Sequence, residues 1–364
     1  MTGQFDSNRD SAVKVSIGLP VYNGASLLPH ALDSLLGQTF SDFELIISDN
    51  ASTDQTEAVC QSYAARDRRI RYVRQPVNRG AIWNFNEVFR LSRSEYFKWA
   101  SHDDVCHPTF LARCVEVLDN QPEIAWCHSR SRHIDGEGDL LFGEETPKIS
   151  YVASDAENRE GGDSLGDLPT RASARASDRF RSVLLGRDGC LDSYGLIRSS
   201  VIRKTPLYLP YFGAEKVFVA ELTLWGRYYE IPETLFLARI HAKAAGALRD
   251  EQAQRRFMAP LSATRRQSAR LRLLAGYLAA VRRSELKWIE RARCYSAIAR
   301  YLLQINKWRN VIAAALTGGG LRGAYPSVDS TRDSKVPEDT SERPAPTGNV
   351  AQARATAMSR SRFK

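Results

Sequence analysis

The residues best placed to do chemistry stand together in FKWASHDDV (97–105), where an apolar and aromatic run stops at Ser101 and delivers His102, Asp103 and Asp104 side by side. Adjacent like charges repel, so the arrangement is costly unless a cation, a hydrogen-bond donor or water offsets it. A hard divalent cation would do so. Mg2+ or Mn2+ takes one or two protein carboxylates and fills its remaining positions with water and substrate phosphate oxygens. The plainer alternative is that Asp103 or Asp104 caps the helix expected to begin near Phe110, with Pro108 in the turn before it. Asp49 and Asn50 form a second polar pair, directly after FELIIS (43–48). Asp accepts and Asn both donates and accepts, so the pair could read the edge of a base or a ribose. An Asx turn leading into a helix would use the same residues.

Both pairs follow predicted strands. Val13, Val15, Ile17 and Leu19 alternate with small or polar residues, and FELIIS is a second short run rich in strand formers. Between them Leu28, Ala31, Leu32, Leu35 and Leu36 recur at helical spacing, with Gly37 placed to end the helix. Ser52 and Gln55 have the spacing of a capping box, which predicts a helix over 56–66. IRYVR (70–74), YFKWA (96–100) and EIAWC (123–127) read as strands, and WNFNEVFRLS (83–92) and FLARCVEVLD (110–119) as helices. This alternation predicts a parallel α/β sheet with crossover helices, whose ligand sites lie beyond the carboxyl ends of the strands. Pro20, Tyr22, Asn23, Asp49, Asn50 and the stretch from Ser101 to Asp104 occupy those ends.

Further along, 143–177 is polar and rich in Gly, Ser, Asp and Arg, which predicts a long loop. Within 217–241 the pattern gives a helix ending near Gly226 and a strand around 235–240. From about Asp250 to Arg309 it is helical and dense in Arg and Ala, and beyond Tyr325 it has the composition of a disordered tail. The chain therefore divides into a flexible N-terminus (1–12), a catalytic domain (13–248) with the 143–177 insertion, a basic helical extension (249–324) and a tail (325–364).

The formal net charge of +9 over 364 residues favours anionic partners, although no nucleic-acid-binding motif accompanies it. The extension carries Arg255, Arg256, Arg265, Arg266, Arg270, Arg272, Arg282 and Arg283, with Leu271, Leu274, Leu278 and Val281 at helical spacing. Such a helix can lie on an anionic membrane, or pack on the catalytic domain with a solvated basic face. The six cysteines are scattered without zinc-like spacing, which fits a reduced, cytoplasmic setting. No stretch approaches the roughly 20 apolar residues needed to span a bilayer, so the expectation is a chain without signal peptide or membrane span, with peripheral contact left open.

The ordered set VSIGLPVYNG (15–24), LDSLLGQTFSDFELIISDNASTDQT (32–56), NRG (78–80), FKWASHDDV and RIH (239–241) resembles family 2 glycosyltransferases of the GT-A fold, over about Val13 to His241. The resemblance implies a Rossmann-like, mostly parallel sheet flanked by helices. It implies that Pro20, Val21 and Tyr22 match the turn that packs on the nucleotide base, and that Asp49 matches the carboxylate that hydrogen-bonds the base. Asn50 and Arg79 would join them in holding the donor. Asp103 matches the second acid of the family's DxD motif, the metal ligand, with Asp104 beside it. Ser101 stands where the first acid usually sits, a departure. Arg239 and His241 match the R-x-H in which cationic or metal-binding side chains meet the diphosphate.

Counting back from Gly226, the position of the family's catalytic Asp falls on Glu215, with Glu221 a second candidate farther along the helix. A Glu is one methylene longer and must sit back by roughly 1 Å. The implied activity is an inverting, Mn2+- or Mg2+-dependent transfer from a nucleotide-sugar, UDP- or dTDP-linked, to a saccharide or lipid-linked acceptor hydroxyl. Cell-surface polysaccharide or glycolipid assembly at the inner face of the plasma membrane is the implied setting. A sugar-phosphate nucleotidyltransferase would need a glycine-rich basic loop after the first strand, and PVYNGAS has one Gly and no Lys or Arg. A catalytically inactive relative that binds a nucleotide-sugar or a partner is the rival that the Ser101 and Glu215 departures keep in play.

Overall fold

A computed structural model describes residues 13–141, 170–186, 190–211, 213–241, 256–258, 269–304 and 308. The N-terminus (1–12), most of the 143–177 insertion, the 325–364 tail and Arg255, Arg265 and Arg266 lie outside the described residues.

The chain runs β1 (Val15–Val21), α1 (Leu28–Leu36), β2 (Phe43–Asp49), α2 (Thr56–Arg66), β3 (Ile70–Arg74), α3 (Ala81–Arg90), β4 (Tyr96–Trp99), β5 (Val105–Cys106), α4 (Phe110–Asn120) and β6 (Ile124–Ile134). It continues through α5 (Ala176–Leu185), a 3-10 turn (Leu191–Tyr194), β7 (Leu196–Arg198), α6 (Ser199–Ile202), α7 (Ala214–Trp225), β8 (Arg227–Arg239), α8 (Ala269–Arg283) and α9 (Trp288–Leu302). The strands form one sheet in the order β3-β2-β1-β4-β7-β6-β8-β5. β1 pairs in parallel with β2 and β4, β2 with β3, and β6 with β8. β7 is antiparallel to both β4 and β6, and β5 is antiparallel to β8.

Helices cover both faces, which is why all seven residues of β1 are buried. Successive residues of β2 feed two cores. Leu45 and Ile47 join α1, α2 and α4, while Ile46 faces the core built on α3, α5, α7, α8 and α9. The extension thus shares a core with the sheet: Leu273, Tyr277, Ala280 and Val281 of α8 and Cys294, Ala297, Ile298 and Tyr301 of α9 are buried in it. Leu271, expected on the apolar side of α8, is 42% exposed, and Leu274 and Leu278 are only partly buried. The buried side is offset from the predicted one because it must meet α7.

The expected capping box does not form. The Ser52 hydroxyl accepts from the Asn23 N–H (2.9 Å) instead, and the Thr56 N–H at the start of α2 donates to Asp54 (3.0 Å). Tertiary demand at the β1 end takes Ser52 away from its helix. No helix among the described residues is long and apolar enough to cross a membrane.

Candidate active site

Past the end of β4 the chain turns through Ser101 to Asp104 at the carboxyl edge of the sheet. Asp103 is 7% exposed. Its Oδ1 accepts from the Ser101 hydroxyl, and its Oδ2 lies 2.8 Å from His241 Nε2. Burial alone would raise the Asp103 carboxyl, but His102, the Ser101 hydroxyl and His241 outweigh it and hold the pKa below the usual value. Asp104 takes the opposite environment. Burial and the neighbouring Asp103 push it up, against the Arg239 N–H, which donates to Oδ1 at 2.9 Å, and the charge of Lys98. The repulsion raised by the sequence is thus resolved by unequal surroundings.

Lys98 is 1% exposed, donates to the carbonyls of Tyr194 (2.6 Å) and Trp99 (3.2 Å), and lies over the rings of Phe110 and Phe236. Its position in an apolar strand gave no sign that it would be the buried cation beside the acidic pair.

The antiparallel pairing of Val105 with Leu237 brings the end of β8 alongside Asp103 and Asp104. Arg239 is buried there. Its Nε donates to the Asp103 carbonyl (2.8 Å) and its Nη1 to the carbonyls of Asp135 (2.8 Å) and Gly136 (2.9 Å). Arg239 was expected to meet a diphosphate; here its Nε and Nη1 hold loop carbonyls, acceptors suited to a buried fork of donors. His241, by contrast, turns toward Asp103.

The Asp103 oxygen and the His241 nitrogen are hydrogen-bonded to each other, and among the described residues no cluster of three His, Cys, Asp or Glu that could hold a metal ion is found. A two-donor set fits a divalent cation that completes its shell with phosphate oxygens and water, and does not fit a closed structural site. His102, partly buried, is held toward its neutral form mainly by burial. Its ring packs under Gly24, where a Cβ would come within 2.6 Å of His102 Cδ2. Gly24 is a site residue the motifs did not single out.

On the nucleotide side the predicted residues occupy the ends of β1 and β2 and the NRG loop. Pro20 and Val21 are buried within β1, paired with Ser48 and Asp49, so of the predicted base-packing turn only Tyr22, 42% exposed, offers a ring. Asp49 is fully buried: Oδ2 accepts from Tyr72 OH (2.9 Å) and faces Arg74 Nε (3.5 Å), and Oδ1 accepts from the Ser52 N–H (2.8 Å). Asn50 donates to Asn78 Oδ1 (2.9 Å) and the Gly80 carbonyl (3.2 Å) and accepts from the Arg79 N–H (3.0 Å). These bonds hold the β2–α2 turn and the NRG loop. Arg79 is exposed, its guanidinium 4.6 Å from the centre of the Trp83 ring.

Glu215 lies in the first turn of α7, after Gly213, whose φ of 86° favours glycine. Among the described residues its carboxylate takes hydrogen bonds from backbone N–H groups, its own and that of Gly213. Burial raises its carboxyl pKa, against the N–H groups of Glu215 itself and Gly213. Glu221 is the opposite case: fully buried and gripped by Arg283 through Nε and Nη2, each at 2.8 Å. It is a structural anchor, and the candidacy given to it as a base is withdrawn.

Rings of Trp99, Tyr208 and Phe218 contact one another at 4.8–5.4 Å between centroids and tie β4 to α7. Asn86 fixes Tyr208 by exchanging hydrogen bonds with its N–H and carbonyl. The buried Tyr194 phenol is pushed up by burial and then by Asp104, Tyr208, Asp103 and Glu215.

The site thus sets an acidic pair and an imidazole at the carboxyl edge of a mostly parallel sheet. Residues 16–176 match the model of glycosyl transferase family 2. Among curated proteins it is 34% identical over 116 residues to an uncharacterised glycosyltransferase of Rickettsia typhi, covering 31% of this chain and 35% of that one. It is 32% identical over 127 residues to chondroitin synthase of Escherichia coli, covering 35% and 18%. The chain thus spans about a third or less of the length of these relatives.

Two solved structures share the fold. S. aureus TarS 1-349 in complex with UDP-GlcNAc aligns with a TM-score of 0.52 at 16% identity, covering 79% of this chain and 71% of that one. The mannosyltransferase PcManGT from Pyrobaculum calidifontis in complex with GDP-Man and Mn2+ aligns with 0.51 at 16%, covering 87% and 78%.

Proposed function

We propose that the protein transfers a sugar from a nucleotide-sugar to an acceptor hydroxyl with inversion, dependent on Mn2+ or Mg2+. The observation that carries the reading is the meeting of Asp103 and His241 at 2.8 Å, two donor atoms from distant parts of the chain brought to the carboxyl edge of the sheet. A divalent cation held by Asp103 and His241 would supply Lewis-acid stabilisation of charge on the leaving nucleoside diphosphate. Asp104, through the Arg239 N–H, keeps the loop in place. Tyr22 offers its ring to the base, and a donor engaging Asp49 displaces its bond from Tyr72 or Arg74. Glu215 accepts the proton of the acceptor hydroxyl as that oxygen attacks the anomeric carbon from the face opposite the diphosphate. One displacement inverts the centre.

The sequence likeness to a chondroitin synthase supports a saccharide acceptor and a place in polysaccharide or glycolipid assembly, with UDP- or dTDP-sugars the first donors to try. The test is release of nucleoside diphosphate across a donor panel, with Mn2+ or Mg2+ and with chelator. Slow turnover of one donor, abolished by chelator and by Asp103→Ala, is the expected result. Donor binding without turnover under every donor and acceptor combination would favour the inactive relative instead.

A further inference from the structure

α9 has two apolar sides. One, formed by Cys294, Ala297, Ile298 and Tyr301, is buried in the core. On the opposite side Trp288 (78% exposed), Ala292, Tyr295 (37%), Ala299, Leu302 (44%) and Leu303 (76%) follow one another at three- and four-residue steps and share one stripe. The stripe runs about 21 Å along the helix. A helix that packs on a globular core has one apolar side, and contiguous exposed apolar surface marks a contact with something else.

Charge selects the occupant. Residues 269–304 carry eight Lys or Arg against two Glu, and Glu290 is already engaged by Arg293 (2.8 Å) and the Ser177 N–H (2.9 Å). Arg282, Lys287, Arg293 and Arg300 are all exposed. A second copy of this chain would bring the same positive charge to the same face, whereas an anionic lipid surface brings the opposite charge. Trp and Tyr with an apolar body and polar edge, Leu at the far end and long basic side chains beside them are the composition of a helix lying in a membrane interface.

We infer that this side of α9 docks on an anionic phospholipid surface, with Trp288 and Leu303 entering the boundary of the acyl region and the flanking Lys and Arg meeting lipid phosphates. The inference stands apart from glycosyl transfer, and its test needs no donor. The full chain is sedimented with vesicles of phosphatidylcholine alone and of phosphatidylcholine with phosphatidylglycerol. Binding to the anionic vesicles only, weakened by salt, is expected.

The double substitution Trp288→Ser with Leu303→Ser should reduce that binding about tenfold or more, as should Arg293→Glu with Arg300→Glu. The melting curve should stay unchanged in the first pair, because both side chains are exposed. Failure of the wild-type protein to bind anionic vesicles would overturn the inference. So would equal binding by both double variants, or a concentration-dependent dimer in light scattering that Trp288→Ser with Leu303→Ser dissolves.

Discussion

Two glutamates six residues apart on α7 have opposite fates, and the contrast fixes what each substitution should do. Glu215 is met by backbone N–H groups rather than by a cationic fork, and its carboxyl is raised mainly by burial, the state expected of a proton acceptor. Glu215→Gln should lower kcat by roughly 100- to 10,000-fold, with donor affinity in a titration unchanged, and Glu215→Asp should recover part of the loss. Gly24→Ala places a Cβ against the His102 ring. It should weaken cation and donor binding in calorimetry while circular dichroism stays that of the wild type.

The placement of the acidic pair and His241 past strand ends, and of Glu215 in the first turn of a helix, was legible in the sequence. The engagement of Arg239, Asn50 and Asp49 was not. Arg239 bonds carbonyls 104 and 136 residues away, and backbone acceptors leave no trace in side-chain spacing.

The period of apolar residues predicted most helices and the longer strands, since each buries a face for its whole length. β5 and β7, two and three residues long, are too short to carry a period, and their antiparallel pairing was invisible for that reason. The interaction that joins the extension to α7 was equally hidden, because Glu221 and Arg283 are 62 residues apart. Arg283→Ala leaves the Glu221 charge buried without its partner. It should destabilise the fold by about 3 kcal/mol, the lower end for a broken buried pair because the Arg283 side chain is 37% exposed. Arg283→Lys, which cannot make both bonds, should fall between the two. Chemical denaturation of the three proteins at one pH gives the comparison.

Whole-molecule stability should depend on pH through His128. Its Nδ1 donates to the Ser129 carbonyl, its Nε2 has no partner, and its ring lies against Phe110 and Phe236. Burial, then the charge of Lys98, lowers its pKa from 6.5 to about 3. Below 6.5 the unfolded chain binds a proton at this position that the folded chain refuses until about 3. The contribution is therefore complete above pH 6.5 and is lost as pH falls toward 3, at up to about 1.4 kcal/mol per pH unit. Denaturation midpoints taken through this range should fall more steeply for the wild type than for His128→Gln. Parallel slopes would remove His128 from the account.

The join between Asp103 and His241 spans 138 residues. A ribosome adding roughly 5 to 20 residues per second finishes Asp103 on the order of ten seconds before His241. During that interval β1 to β4 can pair, yet β8 does not exist, and the two carboxylates lack both the His241 imidazole and the Arg239 N–H. Under the proposed function, sugar donor and cation would load only onto a chain whose last strand is in place, so occupancy of the pocket would protect finished molecules and leave nascent ones to fold unaided.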